Sequence, residues 1–138
     1  MTLTKKDKAY FNVAKEVSKL SDFPRIHIGC VAVYRHKIIS SGYNALRGDP
    51  IQKRYNIYRF TDDTPASVHA EVICLKPLIG REDINFKYVD LYVYRQYKNG
   101  ELAMSRPCDS CFKLIRDLGI RNIYYTNSGG YSHEEILY

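Results

Sequence analysis

The chain contains no tryptophan, and only four cysteines among 138 residues. It also has no apolar run near the ~18 residues that cross a bilayer, so no membrane partner is expected. Met1-Thr2-Leu3-Thr4-Lys5-Lys6-Asp7 holds no apolar signal core, and a cytoplasmic protein is the expectation. Thiols stay reduced in that compartment, where a C-x-x-C pair more often serves metal or redox chemistry than a disulfide scaffold. Internal repeats and low-complexity linkers are missing too, so residues 1–138 are expected to form one domain. A hydrophobic content of 45% is enough for a buried core and argues against disorder. Acidic residues are the scarcer sign, 15 against 21 basic, for a net charge of +6. That balance suits an anionic partner, from a nucleotide to a nucleic acid, although an ordinary soluble surface looks the same.

Periodicity organises the rest. Lys5 to Leu20 places Tyr10, Val13, Ala14, Val17 and Leu20 at helical spacing, with Thr4 as N-cap and Asp7 in the first turn. Ile26 to Tyr34 and Lys37 to Ser41 read as strands joined by a hairpin turn at Arg35-His36. Ala45 to Pro65 reads as irregular. A helix is expected from about Ser67 to Lys76, where Pro77 removes a backbone donor. Val89 to Arg95 is a strand that Asn99-Gly100 could fold back through Leu102 to Met104. Asp109 to Leu118 is helical with Gly119 as its stop, and Ile120 to Thr126 is the last clear strand. The order α-β-β-α-β-α-β predicts a three-layer α/β domain.

Two motifs carry chemistry. His69-Ala70-Glu71 begins one helix, and Pro107-Cys108-Asp109-Ser110-Cys111 begins the next. One imidazole and two thiolates hold a zinc ion and leave a fourth position open, which is the donor count of a catalytic site. Zinc lowers the pKa of its water to about 7, and two helix N-termini favour thiolate over thiol. Glu71 is then the candidate proton shuttle. A redox C-x-x-C does not account for His69 or Glu71. A purely structural zinc site needs a fourth ligand, and Cys30 and Cys74 read better as core residues.

The H-x-E…P-C-x-x-C order resembles the zinc deaminase signature, in which the Glu is not a ligand. From Phe23 to Thr126 the chain is similar to the cytidine/deoxycytidylate deaminase superfamily. Phe23-Pro24-Arg25-Ile26-His27-Ile28-Gly29-Cys30-Val31 resembles its first core strand, and Lys37-Ile38-Ile39-Ser40-Ser41-Gly42-Tyr43-Asn44 its second. The resemblance implies a three-layer α/β/α fold with a mixed sheet of four to five strands and helices on both faces. It implies one Zn²⁺ per chain held by His69, Cys108 and Cys111, with Glu71 moving protons as a cytosine nucleotide, dCMP above all, is deaminated at C4. It implies that Asn44 contacts the sugar. Ala70, Arg25 and Arg106 complete the substrate-binding candidates, Arg25 at the rim. Self-association is expected on the same ground.

Histidine as first ligand is unlike free cytidine deaminases and resembles deoxycytidylate, tRNA-adenosine and polynucleotide enzymes. The polynucleotide cytosine enzymes usually carry tryptophan before the Pro-Cys, and none is present. The long Gln96 to Arg106 stretch resembles small virus- and phage-type members. A full further helix and a fifth strand are not expected to fit after Thr126. Arg47, Lys53, Arg54 and Arg59 interleave with Tyr55, Tyr58 and Phe60, so a phosphate clamp, a strand-binding groove and a solvated lid all remain open for that insertion. Deamination of single-stranded DNA or RNA, and a non-catalytic zinc-stabilised domain, are the alternatives to a mononucleotide enzyme.

Overall fold

A computed structural model describes residues 1–59 and 67–138. Phe60 and the end of the irregular stretch at Pro65 lie outside the described residues. Helix α1 spans Lys5–Ser18. Strands β1, Ile28–Tyr34, and β2, Lys37–Tyr43, follow. After them come α2, Pro50–Tyr55, and α3, Ala70–Leu75. Strand β3 is Val89–Arg95, α4 is Asp109–Leu118, β4 is Asn122–Asn127 and β5 is Gly130–Glu135.

The five strands form one mixed sheet in the order β2-β1-β3-β4-β5. Only β3 and β4 run parallel, and α4 makes the crossover between them. The alternation of a pleated strand sorts side chains to two faces. Val31, Val33, Tyr92 and Tyr94 point to one face and meet Phe11 and Ala14 of α1. Cys30, Ala32, Leu91, Val93 and Ile123 point to the other and meet Val72, Leu75, Leu114 and Ile115 of α3 and α4. The architecture is therefore the three-layer α/β/α arrangement that the resemblance implies, with five strands.

Local chemistry explains the boundaries. Thr4 caps α1 through a reciprocal capping box with Asp7. Arg35 and His36 adopt φ of 52° and 66°, the left-handed pair that a two-residue hairpin turn requires. Gly119 ends α4 at φ 91°. Both helical layers come very close to the sheet at a glycine. A Cβ on Gly29 would lie 2.0 Å from the Ala14 carbonyl oxygen of α1, and one on Gly42 would lie 2.5 Å from both the Ala70 carbonyl oxygen and the Cys74 nitrogen of α3.

Three expectations need correction. Residues of the supposedly irregular Ala45 to Pro65 stretch form α2, because Asp49 caps it and Pro50 occupies the first turn. The helix expected from Ser67 begins only at Ala70, because Val68 is held in an antiparallel bridge to Ala45. The chain does fold back at Asn99-Gly100 as expected, held by the single bridge Gln96 to Leu102. A fifth strand does fit after Thr126, because a tight turn sends it back antiparallel to β4 with no helix between.

Candidate active site

Helices α3 and α4 both start beneath the sheet at one end of the domain. His69 is the N-cap of α3, and Cys108 is the N-cap of α4, each one residue ahead of the helix in which the sequence pattern placed it. The cap geometry directs His69 Nδ1 at both sulfurs, 3.4 Å from Cys108 Sγ and 3.3 Å from Cys111 Sγ. The donor atoms of these three residues all lie within 4.8 Å of one another. Tetrahedral zinc with Zn–S near 2.3 Å and Zn–N near 2.0 Å sets a nitrogen–sulfur separation of about 3.5 Å. The donor set thus fits one zinc ion in both chemistry and spacing. Ser110, fully buried, brings its hydroxyl to 3.1 Å from Cys108 Sγ.

Electrostatics follow from this crowding. The hydrogen bond from Cys111, together with the nearby imidazole, outweighs burial and pulls the Cys108 thiol down to about 3. The Cys111 thiol is pushed well up, first by its bond to Cys108 and then by burial. The two sulfurs move apart because the first thiolate opposes a second beside it, which a divalent cation between them would reverse. Burial lowers the His69 pKa, yet its contacts with Cys108 and the charge of Glu71 raise it overall. Glu71 is only 4% exposed, and burial raises its carboxyl above the usual range. That is the direction a proton-carrying carboxylate needs near neutral pH.

The site opens into a cavity of about 260 Å³ lined by Asn44, Arg59, His69, Glu71, Arg95, Ser105, Arg106 and Cys108, among others. Asn44 reaches it, but its side-chain amide is already engaged: Oδ1 accepts from Ile28 N at 2.9 Å, and Nδ2 donates to the Ile26 carbonyl at 2.8 Å. It therefore ties the β1 entry to the β2 exit as well as lining the cavity. Arg106 lies at the wall, doubly hydrogen-bonded to Glu134 and stacked over Phe112. Ala70 is wholly buried, its carbonyl against Gly42, and it does not line the cavity. Arg25 is elsewhere. It adopts φ 73° and lines a separate depression with Lys19, His27 and Lys98.

Two cavity residues have no carboxylate partner among the described residues. Arg59 follows α2 and donates from Nη1 to His69 Nε2 at 3.1 Å. Arg95, at the end of β3, donates to the Met104 carbonyl at 3.3 Å. The basic-aromatic pattern of the insertion had drawn attention to Arg59. Nothing in the sequence marked Arg95, which reads as the last residue of an ordinary strand. Gln52 was not marked either; its Oε1 accepts from the backbone nitrogen of His69 at 2.9 Å.

Comparison with known proteins gives a consistent picture. A family model described as the cytidine and deoxycytidylate deaminase zinc-binding region matches residues 4–127. No curated protein matches the chain. A crystal structure of dCMP deaminase from the cyanophage S-TIM5, in apo form, is similar with TM-score 0.65 and 22% identity, covering 91% of this chain and 86% of that one. The same cyanophage enzyme in complex with dCMP and dUMP is similar with TM-score 0.60 and 19% identity over 91% of this chain and 83% of that one. Cytidine deaminase from Burkholderia pseudomallei is similar with TM-score 0.64 and 16% identity over 96% of this chain and 93% of that one. At these identities the solved structures establish the shared fold.

Proposed function

Because this chain belongs to the cytidine and deoxycytidylate deaminase zinc-binding family, we propose that it converts a cytosine mononucleotide, dCMP, and water into dUMP and ammonia. The observation that carries this reading is one cavity combining the His69–Cys108–Cys111 donor set and buried Glu71 with the guanidinium groups of Arg59 and Arg95, which have no carboxylate partner among the described residues. Zinc, when bound by those three residues, supplies Lewis-acid activation of water. Glu71 then has three tasks. Its carboxylate takes one proton from the attacking water and passes it to N3 of the ring as C4 becomes tetrahedral, then takes the second proton from the new C4 hydroxyl and delivers it to the departing amine. Burial favours a carboxyl that holds a proton between these transfers.

Arg59 and Arg95 supply the reason for a phosphorylated substrate. Two cations facing one small cavity without a carboxylate partner among the described residues suit a dianion. Were His69 to hold a metal through Nδ1, its remaining proton would sit on Nε2, which would no longer accept from Arg59 and would leave that guanidinium free for the substrate phosphate. Asn44 keeps its place at the sugar side of the cavity by holding the two strand ends.

A second reading has an observation behind it. Arg106 is shared between the cavity and a shallow groove lined by Tyr58, Asp109, Phe112, Lys113 and Arg116. Basic and aromatic residues leading away from a site suit a single strand. Against it, Arg106 is paired with Glu134 and Lys113 with Asp117, so part of that charge is already neutralised. Ammonia release from the zinc-loaded protein on dCMP, dCTP, deoxycytidine, cytidine, a cytosine-containing single strand and an adenosine-containing hairpin RNA separates the readings. Preference for dCMP, lost on Arg59→Ala, supports the mononucleotide enzyme. Preference for a polymer, weakening steeply with salt, supports the second reading instead.

A further inference from the structure

We infer that Gln52 is a positioning residue for metal binding: it fixes the backbone of His69 so that Nδ1 faces the two sulfurs. The inference rests on His69 acting as a ligand, as proposed above.

The N-cap residue of a helix has a backbone N–H that the helix itself does not use. His69 occupies that position, and its side chain makes no capping bond because the ring is turned toward Cys108 and Cys111. Its N–H is accepted instead by Gln52 Oε1 at 2.9 Å, from a residue 17 positions earlier in the chain. Gln52 is 1% exposed. Its other end is determined too, since Nε2 donates to Asn56 Oδ1 at 2.7 Å. The His69 N–H can only donate, which settles that Oε1 is the end of the amide pointing at it.

The clamp matters because α3 is only six residues long, well below the length at which a helix holds itself. Helix α2 secures it at both ends. Gln52 holds the His69 end, and Asp49, which caps α2, receives Lys76 Nζ at 2.8 Å from the other. Removing the Gln52 acceptor frees the cap residue to rotate and leaves a half-buried N–H without its partner. Residues that orient a metal ligand typically change metal affinity by about 10- to 100-fold when altered. The sequence hides this role, since a glutamine in a basic insertion looks like solvent-facing polarity.

Cobalt(II) titration of the purified protein tests the inference, reading both affinity and the visible ligand-field and thiolate charge-transfer bands at saturation. Gln52→Met keeps length and bulk but removes the acceptor. It should bind cobalt about 10- to 100-fold more weakly, with altered bands. Gln52→Glu keeps an acceptor toward His69 and should lose less affinity than Gln52→Met. Ile123→Val, a mild core loss on β4, should leave affinity and bands unchanged and serves as the stability control. A role limited to packing predicts the reverse order, because a buried carboxylate is worse than a thioether there. Wild-type affinity in Gln52→Met, or an equal loss in Ile123→Val, overturns the inference. Absence of any thiolate–cobalt band in the wild-type protein overturns the metal site itself.

Discussion

The face of the sheet beneath α1 is aromatic and hydroxyl-rich, whereas the face beneath α3 and α4 is aliphatic and sulfur-rich. On the first, Tyr92 stacks flat on Tyr124 at 4.4 Å, Tyr124 stacks on His133, and the Tyr92 hydroxyl donates to Asp7 at 2.7 Å. On the second, Cys30, Cys74 and Cys111 lie fully buried among valine, leucine and isoleucine, with Glu71 beside them. Both faces use a glycine to bring helix and strand into backbone contact, Gly29 under α1 and Gly42 under α3. The difference teaches how one sheet divides its work. Aromatic rings tolerate polar partners and anchor a long capped helix, while a dry aliphatic face raises the pKa of Glu71 and presents two short-range helix starts to a metal.

Breaking the chemical face should have the largest effect. Cys108→Ala removes one of three donors, so zinc content should fall to background and turnover with it, as metal analysis and an ammonia assay will read. A comparable change on the other face, Phe11→Ala, should leave zinc content intact in whatever fraction remains folded.

The glycine pair sharpens the contrast. Gly29→Ala and Gly42→Ala each force a methyl into backbone atoms, and each should cost about 1–3 kcal/mol in denaturant unfolding. Only Gly42→Ala displaces α3, so only it should also weaken zinc affinity. Equal zinc affinities in the two variants would mean that α3 is placed by something other than its contact with β2.

Acid should then expose the polar face first, and modestly. The Asp7 carboxyl is held below its ordinary value of 3.8: burial opposes this, but the Tyr92 hydroxyl and the Thr4 cap outweigh it. A folded pKa below the unfolded one stabilises above the unfolded value, and that stability is lost as pH falls through the folded pKa. Asp7→Asn should therefore cost about 1 kcal/mol at neutral pH and flatten the loss of stability below pH about 4.

Sequence reading succeeded where the physical signal is local. Thr4-x-x-Asp7, Arg35-His36 and Gly119 each encode a cap or turn within a few residues, and the structure has all three. The His69, Cys108 and Cys111 set was legible because zinc chemistry demands those residue types at short spacing. Helix α2 was missed because its six residues span under two turns and offer a single apolar pair at helical spacing, Ile51 and Tyr55; its Asp49-Pro50 start was the available signal. Strand β5 was missed because Tyr131, Ser132, His133 and Glu134 are the polar residues of an edge strand. Arg95 and Gln52 reach the site only through tertiary packing. Arg25 lies beside the first strand in sequence, yet its positive φ turns it into a different depression.

The most direct measurement is zinc stoichiometry and ammonia release from dCMP for the wild-type protein beside Glu71→Gln. The account predicts one zinc per chain in both proteins and a turnover about 10²- to 10⁴-fold lower in the variant. Undiminished turnover in Glu71→Gln would contradict the assignment of the proton carrier, and with it the division of labour between the two faces.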